Sequence, residues 1–279
     1  MTITRLLIGL AASCSAAAAT AAQAPVPAPA YSYADLADLA LPAQIVAQVQ
    51  VARATRLKPA EAPGLAPGST RFYVEADVLA LIRGPGGLSS RIAYLSDLPA
   101  QPDGKAARLR KGDQRLIFAQ PVPGRPNEVR LTAPQSQIIA AAPDVAKTRT
   151  ILREAADARA APRITGIGRS FHVPGSLPGE SETQVFLQTA DNRPVSLNIL
   201  RRPGERPRWS VALTEIVDEG ATAPVRDTLL WYRLACGLPR ELPARSLTGT
   251  ASGEAAAIRT DYRFVLDQLG SCGRTRAGR

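Results

Sequence analysis

The chain has 279 residues, enough for two modest domains, and 45% of them are hydrophobic, enough to build real cores. Its formal charge is +10, but aromatics make up only 5% and do not interleave with the Lys/Arg runs, which argues against nucleic acid as a partner. One histidine and the two cysteines expected to remain after loss of Cys14, themselves expected to pair, cannot build an ordinary zinc centre, and the chain has no EF-hand spacing and no Walker-type Gly-Lys-Ser/Thr, so no metal and no cofactor is expected.

Residues 1–5 are a short basic stretch, residues 6–12 a short apolar run, and residues 16–24 are small, the layout of a secretory signal with cleavage after Ala21. The apolar run is far below the roughly 20 residues that a membrane-spanning helix needs. A lipoprotein signal at Cys14 is disfavoured because Ala11 stands where a Leu is wanted. The chain is therefore expected to be periplasmic or secreted, with a signal peptide over residues 1–21 and no transmembrane segment. Residues 22–32, containing PVPAPA, read as an extended linker.

A first domain is expected over residues 33–143. Ile45, Ala47, Val49 and Val51 alternate with polar neighbours, and Phe72, Val74, Ala76, Val78, Ala80 and Ile82 do so more strongly, the period of half-buried strands. Gly84-Pro85-Gly86-Gly87 breaks the second run, and further strands are expected over 91–98, 114–119 and 128–132, separated by Gly112-Asp113 and Pro123-Gly124. Five such strands suggest a small, closed barrel. The long second strand RFYVEADVLALIRG and the Gly-led fourth strand LRKGDQRLIFA resemble the pattern of OB-type barrels, including secreted netrin-module relatives. The resemblance covers residues 33–143 and carries no functional motif. Beyond the barrel the likeness is to small exported bacterial proteins of unassigned role.

Residues 144–158 have helical composition with Asp144 placed as the N-cap, and residues 144–160 are expected to connect the domains. A second domain, 161–272, is expected to be an antiparallel meander of four strands (163–173, 182–189, 195–201 and 208–216) covered by two helices. The first helix starts at Pro224 with the stripe Val225, Leu229, Tyr232 and Cys236; the second starts at Glu254 with Ile258, Tyr262, Val265, Leu269 and Cys272. With Cys14 removed by export, Cys236 and Cys272 form an even pair in an oxidising compartment and are expected to be disulfide-bonded. The helices must then run nearly parallel or cross steeply. Residues 273–279 read as a basic, disordered tail. The fold class expected is α+β.

If there is chemistry, it belongs at the loop 174–182 beside the sole histidine, His172. A hydrolytic triad would use His172 as base, Ser176 or Ser181 as nucleophile and Asp191 or Asp218 as orienter, but no G-x-S-x-G elbow is present. Glu180 and Glu182 are too close in sequence to face each other across a glycosidic bond. Gly166 and Gly168 lack the third glycine of a dinucleotide loop and fit a bulge better. Two basic clusters stand out, Arg108/Arg110/Lys111 and the hairpin set Arg201, Arg202, Arg206 and Arg208. The second is the expected binding surface, for an anionic glycan, a lipid headgroup or an acidic protein surface. The reading favoured is an exported, non-catalytic binding or envelope-assembly protein. The alternative is an esterase or glycan hydrolase at the 174–182 loop, and a third is an envelope scaffold working through its arginines.

Overall fold

The computed structural model describes residues 31–101, 103–214 and 222–276; the expected signal peptide and nearly all of the expected linker lie outside them. The chain opens with helix α1 (Tyr33–Ala40), then strands β1 (Ile45–Arg56), β2 (Ser69–Arg83), β3 (Arg91–Pro99), β4 (Gln114–Val122), β5 (Arg125–Leu131) and β6 (Gln137–Ile139). Helix α2 (Ala142–Ala156) leads to β7 (Ile164–Pro174), β8 (Ser181–Thr189), β9 (Val195–Arg201), β10 (Arg208–Ala212), α3 (Leu229–Ala235) and α4 (Ser252–Leu269). The class is α+β.

Strands β1 to β5 close into a mixed five-strand barrel. Strand β1 pairs with both β2 and β4, β3 pairs with β2 and in parallel with β5, β5 pairs with β4, and β6 extends the wall outside β4. The expected alternation explains the filling: Ile45, Ala47, Val49, Val51, Phe72, Val74 and Ala76 point inward with Ile92, Tyr94, Ile117 and Val129. Register shifts between Val46/Ala47, Gln48/Val49 and Val51/Arg53 let the long β1–β2 pair coil enough to close. Beyond Asp77, β2 outruns its pairing with β3, which leaves Leu79 47% and Leu81 39% exposed.

The second sheet is the expected meander, in the order β10-β9-β8-β7. Ile167, Val185, Leu197, Ile199 and Val211 face α3 and α4, which bury Leu229, Trp231, Leu234, Ile258, Tyr262, Val265 and Leu269 against them. Helix α3 starts later than Pro224 predicts. Thr228 caps it by accepting from the Trp231 N–H, and Val225 stays 73% exposed, outside the helix. Cys236 and Cys272 are disulfide-bonded. Because α3 has only 7 residues, the two cysteines meet without a long helix holding them apart.

Helix α1 was not expected. Ser32 and Asp35 form a reciprocal capping box, and Tyr33, Ala34, Leu36, Ala37, Leu39 and Ala40 are all buried. They pack on the outer wall of the barrel (Val46, Leu116, Phe118 and Ile138), on Ile151 of α2, and on the core of the second sheet. One apolar cluster therefore runs across the boundary expected near residue 160. Of residues 273–276, expected to begin a disordered tail, Arg274, Thr275 and Arg276 are instead bonded to α1. Arg274 pairs with Asp38 at 2.6 Å, while the Thr275 and Arg276 backbone N–H groups donate to Asp35.

Asp144 is not the N-cap of α2. Ala141 holds that position, and Asp144 lies three residues later, fully buried, with neither carboxylate oxygen hydrogen-bonded among the described residues. Burial pushes its carboxyl above the usual carboxylate range, against a smaller downward pull from Lys147.

Two outcomes follow. Replacing Cys236 and Cys272 by Ser should cost about 3–4 kcal/mol in the chain-entropy picture for a sequence separation of 36 residues, read by chemical denaturation. Asp144→Asn should raise Tm at neutral pH, where the wild type must ionise a buried acid. The raised folded-state pKa places the wild type's handicap above the unfolded carboxylate pKa, so the gap should close as pH falls below about 4. A gap that is constant from acid to neutral pH would show that Asp144 is not ionised at a cost.

Candidate functional site

The β7–β8 hairpin places His172 opposite Thr183 and Pro174 opposite Ser181; β9 then sets Arg201 opposite Ser181. Alternation puts these side chains on the face covered by α4, which contributes Asp261. The His172 Nδ1 lies 2.8 Å from the Thr183 hydroxyl, the hydroxyl donates to Asp261 Oδ2 at 2.5 Å, and Arg201 Nε donates to Asp261 Oδ1 at 2.6 Å. Asp261 is 1% and Thr183 0% exposed, whereas His172 is half-buried.

The directions of these bonds follow from the proton count. Arg201 Nε donates to Asp261 Oδ1 and the Thr183 hydroxyl to Oδ2, so both carboxylate oxygens serve as acceptors. Thr183 has one proton and gives it to Asp261; it can therefore only accept from His172. The imidazole is thus assigned the tautomer with the proton on Nδ1, which leaves the Nε2 lone pair unused by this chain of bonds. A cavity of about 380 Å³ lies here, lined by His172, Glu180, Ser181, Arg201, Thr260 and Asp261 among others.

The loop 174–182 is tied down from within. Glu180 accepts from the Ser176 and Leu177 N–H groups, and its carbonyl accepts from Gly175 N. A Cβ on Gly175 would come within 2.3 Å of the Glu180 side chain, so that carboxylate is a loop staple. Glu182 is exposed, on the strand face opposite to Ser181 and Thr183. Ser181 is in the cavity lining, but Ser176 is exposed on the loop and outside it. Asp191 does not orient His172. It sits in the β8–β9 turn, bonded to Arg193 at 2.8 Å, at the other end of β8 from Thr183 and about 20 Å away at strand rise. Asp218 lies outside the described residues. Register shifts fall between Ile164/Gly166 and Ile167/Ser170, the bulges that Gly166 and Gly168 suggest.

The basic hairpin is less available than its sequence implies. Arg201 is turned inward onto Asp261 and Arg208 is paired with Glu205 at 3.1 Å, while Arg202 and Arg206 are exposed. Asp261 was missed because it is an ordinary polar position within a helical stripe; only the packing of α4 on β8 makes it a partner.

A larger concavity, about 860 Å³, lies on the outer barrel wall where β3 and β5 are joined at a single register pair, Ala93↔Glu128. Tyr73 and Leu95, a cross-strand pair, line it at 40% and 48% exposure. Arg71 crosses its edge and grips Asp97 with two bonds of 2.6 and 2.7 Å. The sequence signal was there: Tyr73 and Leu95 are apolar in the outward phase of their strands. Among the described residues no group of three or more His, Cys, Asp and Glu is placed to hold a metal ion.

Thr183→Val keeps the shape but removes the hydroxyl, leaving His172 Nδ1 and Asp261 Oδ2 short of a partner. It should destabilise the fold by about 1–3 kcal/mol. The sole imidazole should also change from an Nδ1–H tautomer to a mixture, seen in its ¹⁵N shifts. An unchanged spectrum would refute the assigned bond directions. In comparisons with known proteins, no family model and no curated protein matches this chain.

Proposed function

We propose that the chain is an exported, non-catalytic binding protein that holds an extended, anionic glycan along the groove over the β3–β5 seam. The observation that carries this reading is the groove itself: an open trough with an aromatic ring and an aliphatic side chain on its floor, Arg130 along it without a carboxylate partner among the described residues, and the ion pairs Arg71–Asp97 and Arg125–Glu128 at its sides. Tyr73 offers a flat face for a sugar ring, and guanidinium groups suit carboxylate or sulfate substituents. The strand order β1-β2-β3-β5-β4-β1 and the parallel β3–β5 contact support the OB-type likeness, and barrels of that type use the face of strands 2 and 3 for polymeric ligands. Export rests on the signal-like residues 1–21. The Cys236–Cys272 bond is compatible with an oxidising compartment, and among the described residues no helix is long and apolar enough to cross a membrane.

The second reading, a hydrolase, is favoured by one observation: His172 and Ser181 line the same cavity, the His172 Nε2 has no hydrogen-bond partner among the described residues, and Thr183 and Asp261 stand behind the ring. The binding reading is preferred because Asp261 is already neutralised by Arg201 and the hydroxyl that touches His172 is fully buried.

Calorimetric titration with an alginate hexasaccharide, and with neutral cellohexaose for comparison, separates the two. The alginate oligomer should bind, Tyr73→Ala should weaken it about tenfold, a loss of about 1.4 kcal/mol, and Arg202→Gln with Arg206→Gln should leave it unchanged. Turnover of a glycan or ester that disappears in His172→Ala, with no binding dependent on Tyr73, would overturn the proposal in favour of the hydrolase.

A further inference from the structure

A small cavity of about 180 Å³ lies where the start of β7 meets the end of α3, beside the disulfide, lined by Arg163, Tyr232, Arg233, Cys236 and Arg274 among others. Three guanidinium groups on elements far apart in sequence converge on it. They are not equivalent. Arg274 is neutralised by Asp38, whose oxygens take Arg274 Nε at 2.6 Å, Arg274 Nη2 at 3.0 Å and the Tyr232 hydroxyl at 2.6 Å. Arg163 and Arg233 have no carboxylate partner among the described residues.

Arg233 is the unusual member. Its side chain is half-buried and its Nε is shut off from solvent without a hydrogen-bond partner. Burial, and then the nearby Arg163 cation, depress its pKa, and the opposing pulls come only from Tyr232 and Tyr33. Arg163 is exposed, but Arg233 is half-buried beside it with only the Tyr232 ring, 5.8 Å from its guanidinium, and no acid to balance the pair, which is costly for the buried cation. Of the acids around Tyr33, Glu154 is committed elsewhere, accepting from the Tyr33 hydroxyl and the Leu229 N–H, and neither it nor Asp227 is ion-paired with Arg163 or Arg233. The arrangement is unfavourable for the chain alone and favourable once an anion bridges the two cations.

We infer that this cavity binds a phosphate dianion, free or as the terminal group of a monoester, gripped between Arg163 and Arg233. Arg274 and Asp38 cancel, so the uncompensated charge of the two remaining arginines matches a phosphate monoester, which carries about −1.5 to −2 at neutral pH. Planar guanidinium forks suit tetrahedral oxyanions, which accept paired bonds from them. The cavity is large enough for a phosphoryl group and too small for a polymer chain, so any stem must leave towards solvent. The site is separate from the groove on the barrel wall and does not depend on what binds there.

The test is a thermal-shift titration of the full chain at constant ionic strength, exchanging chloride for inorganic phosphate in one arm and for glycerol 3-phosphate in the other. Saturable stabilisation should appear in at least one arm. Equal affinity in both arms identifies the free dianion as sufficient; tighter glycerol 3-phosphate identifies a monoester. Arg163→Gln carries the decisive sign. It removes the repulsion, so Tm without phosphate should rise, while phosphate affinity should fall about tenfold or more. Arg202→Gln, with the same loss of charge, should change neither. The inference is overturned if neither anion stabilises more than chloride does, if Arg163→Gln lowers Tm in the absence of phosphate, or if it leaves the affinity unchanged.

Discussion

A buried carboxylate ties the two ends of the described chain together. Asp35 is 1% exposed in the first turn of α1, and it accepts from the Ser32 N–H and hydroxyl and from the backbone N–H groups of Thr275 and Arg276. Burial alone would raise its pKa, but the donors from Thr275, Arg276 and Ser32 outweigh it and hold the acid below the usual range. Position drives this. The first turn of α1 is wedged between the barrel wall and the second sheet, where an ionised group survives only if every lone pair is used. The C-terminal segment supplies the donors, and the disulfide at Cys272 delivers that segment to the right place.

Because α1 is buried on nearly all sides, it joins the outer wall of the barrel and the meander in one apolar cluster. Leu36, with no exposed surface, illustrates the scale: fully burying such a side chain is worth about 1.5–3 kcal/mol. The aromatic cluster of Tyr33, Trp231 and Tyr232 sits at this junction, with Tyr33 and Trp231 edge to face at 6.5 Å. The same junction brings Arg163, Arg233 and Arg274 together. The junction is therefore also where Arg163 and Arg233, without a carboxylate partner among the described residues, lie beside the Arg274–Asp38 pair.

Polar order and open surface are divided between the two halves. In the meander, the Arg201–Asp261–Thr183–His172 chain satisfies its members one after another, with Thr183 and Asp261 buried and only its two ends, the Arg201 guanidinium and the imidazole, reaching the surface. In the barrel, the seam between β3 and β5 is held at one register pair and leaves apolar side chains facing outward. Rigid, internally satisfied polar groups stabilise a sheet–helix contact; a shallow trough with unsatisfied apolar area is what a ligand can cover.

Much of the architecture was legible in the sequence because it rests on short-range periodicity. Alternation at Ile45–Val51 and Phe72–Ala76 marks strands whichever partners they find, the stripe Ile258, Tyr262, Val265 and Leu269 marks a helix face, and the two cysteines outside the signal-like segment have only each other. What escaped depends on burial decided elsewhere in the chain. Eight residues of α1 are too few to hold a helix by propensity, so its existence waited on the surfaces around it. The docking of residues 274–276 on Asp35 and Asp38 and the capture of Arg201 by Asp261 are long-range electrostatic outcomes, while the burial of Asp144 without a hydrogen-bond partner among the described residues follows from the packing of α2. Local pattern says which side chains want to leave water; only the assembled fold determines which charges meet once they have left it.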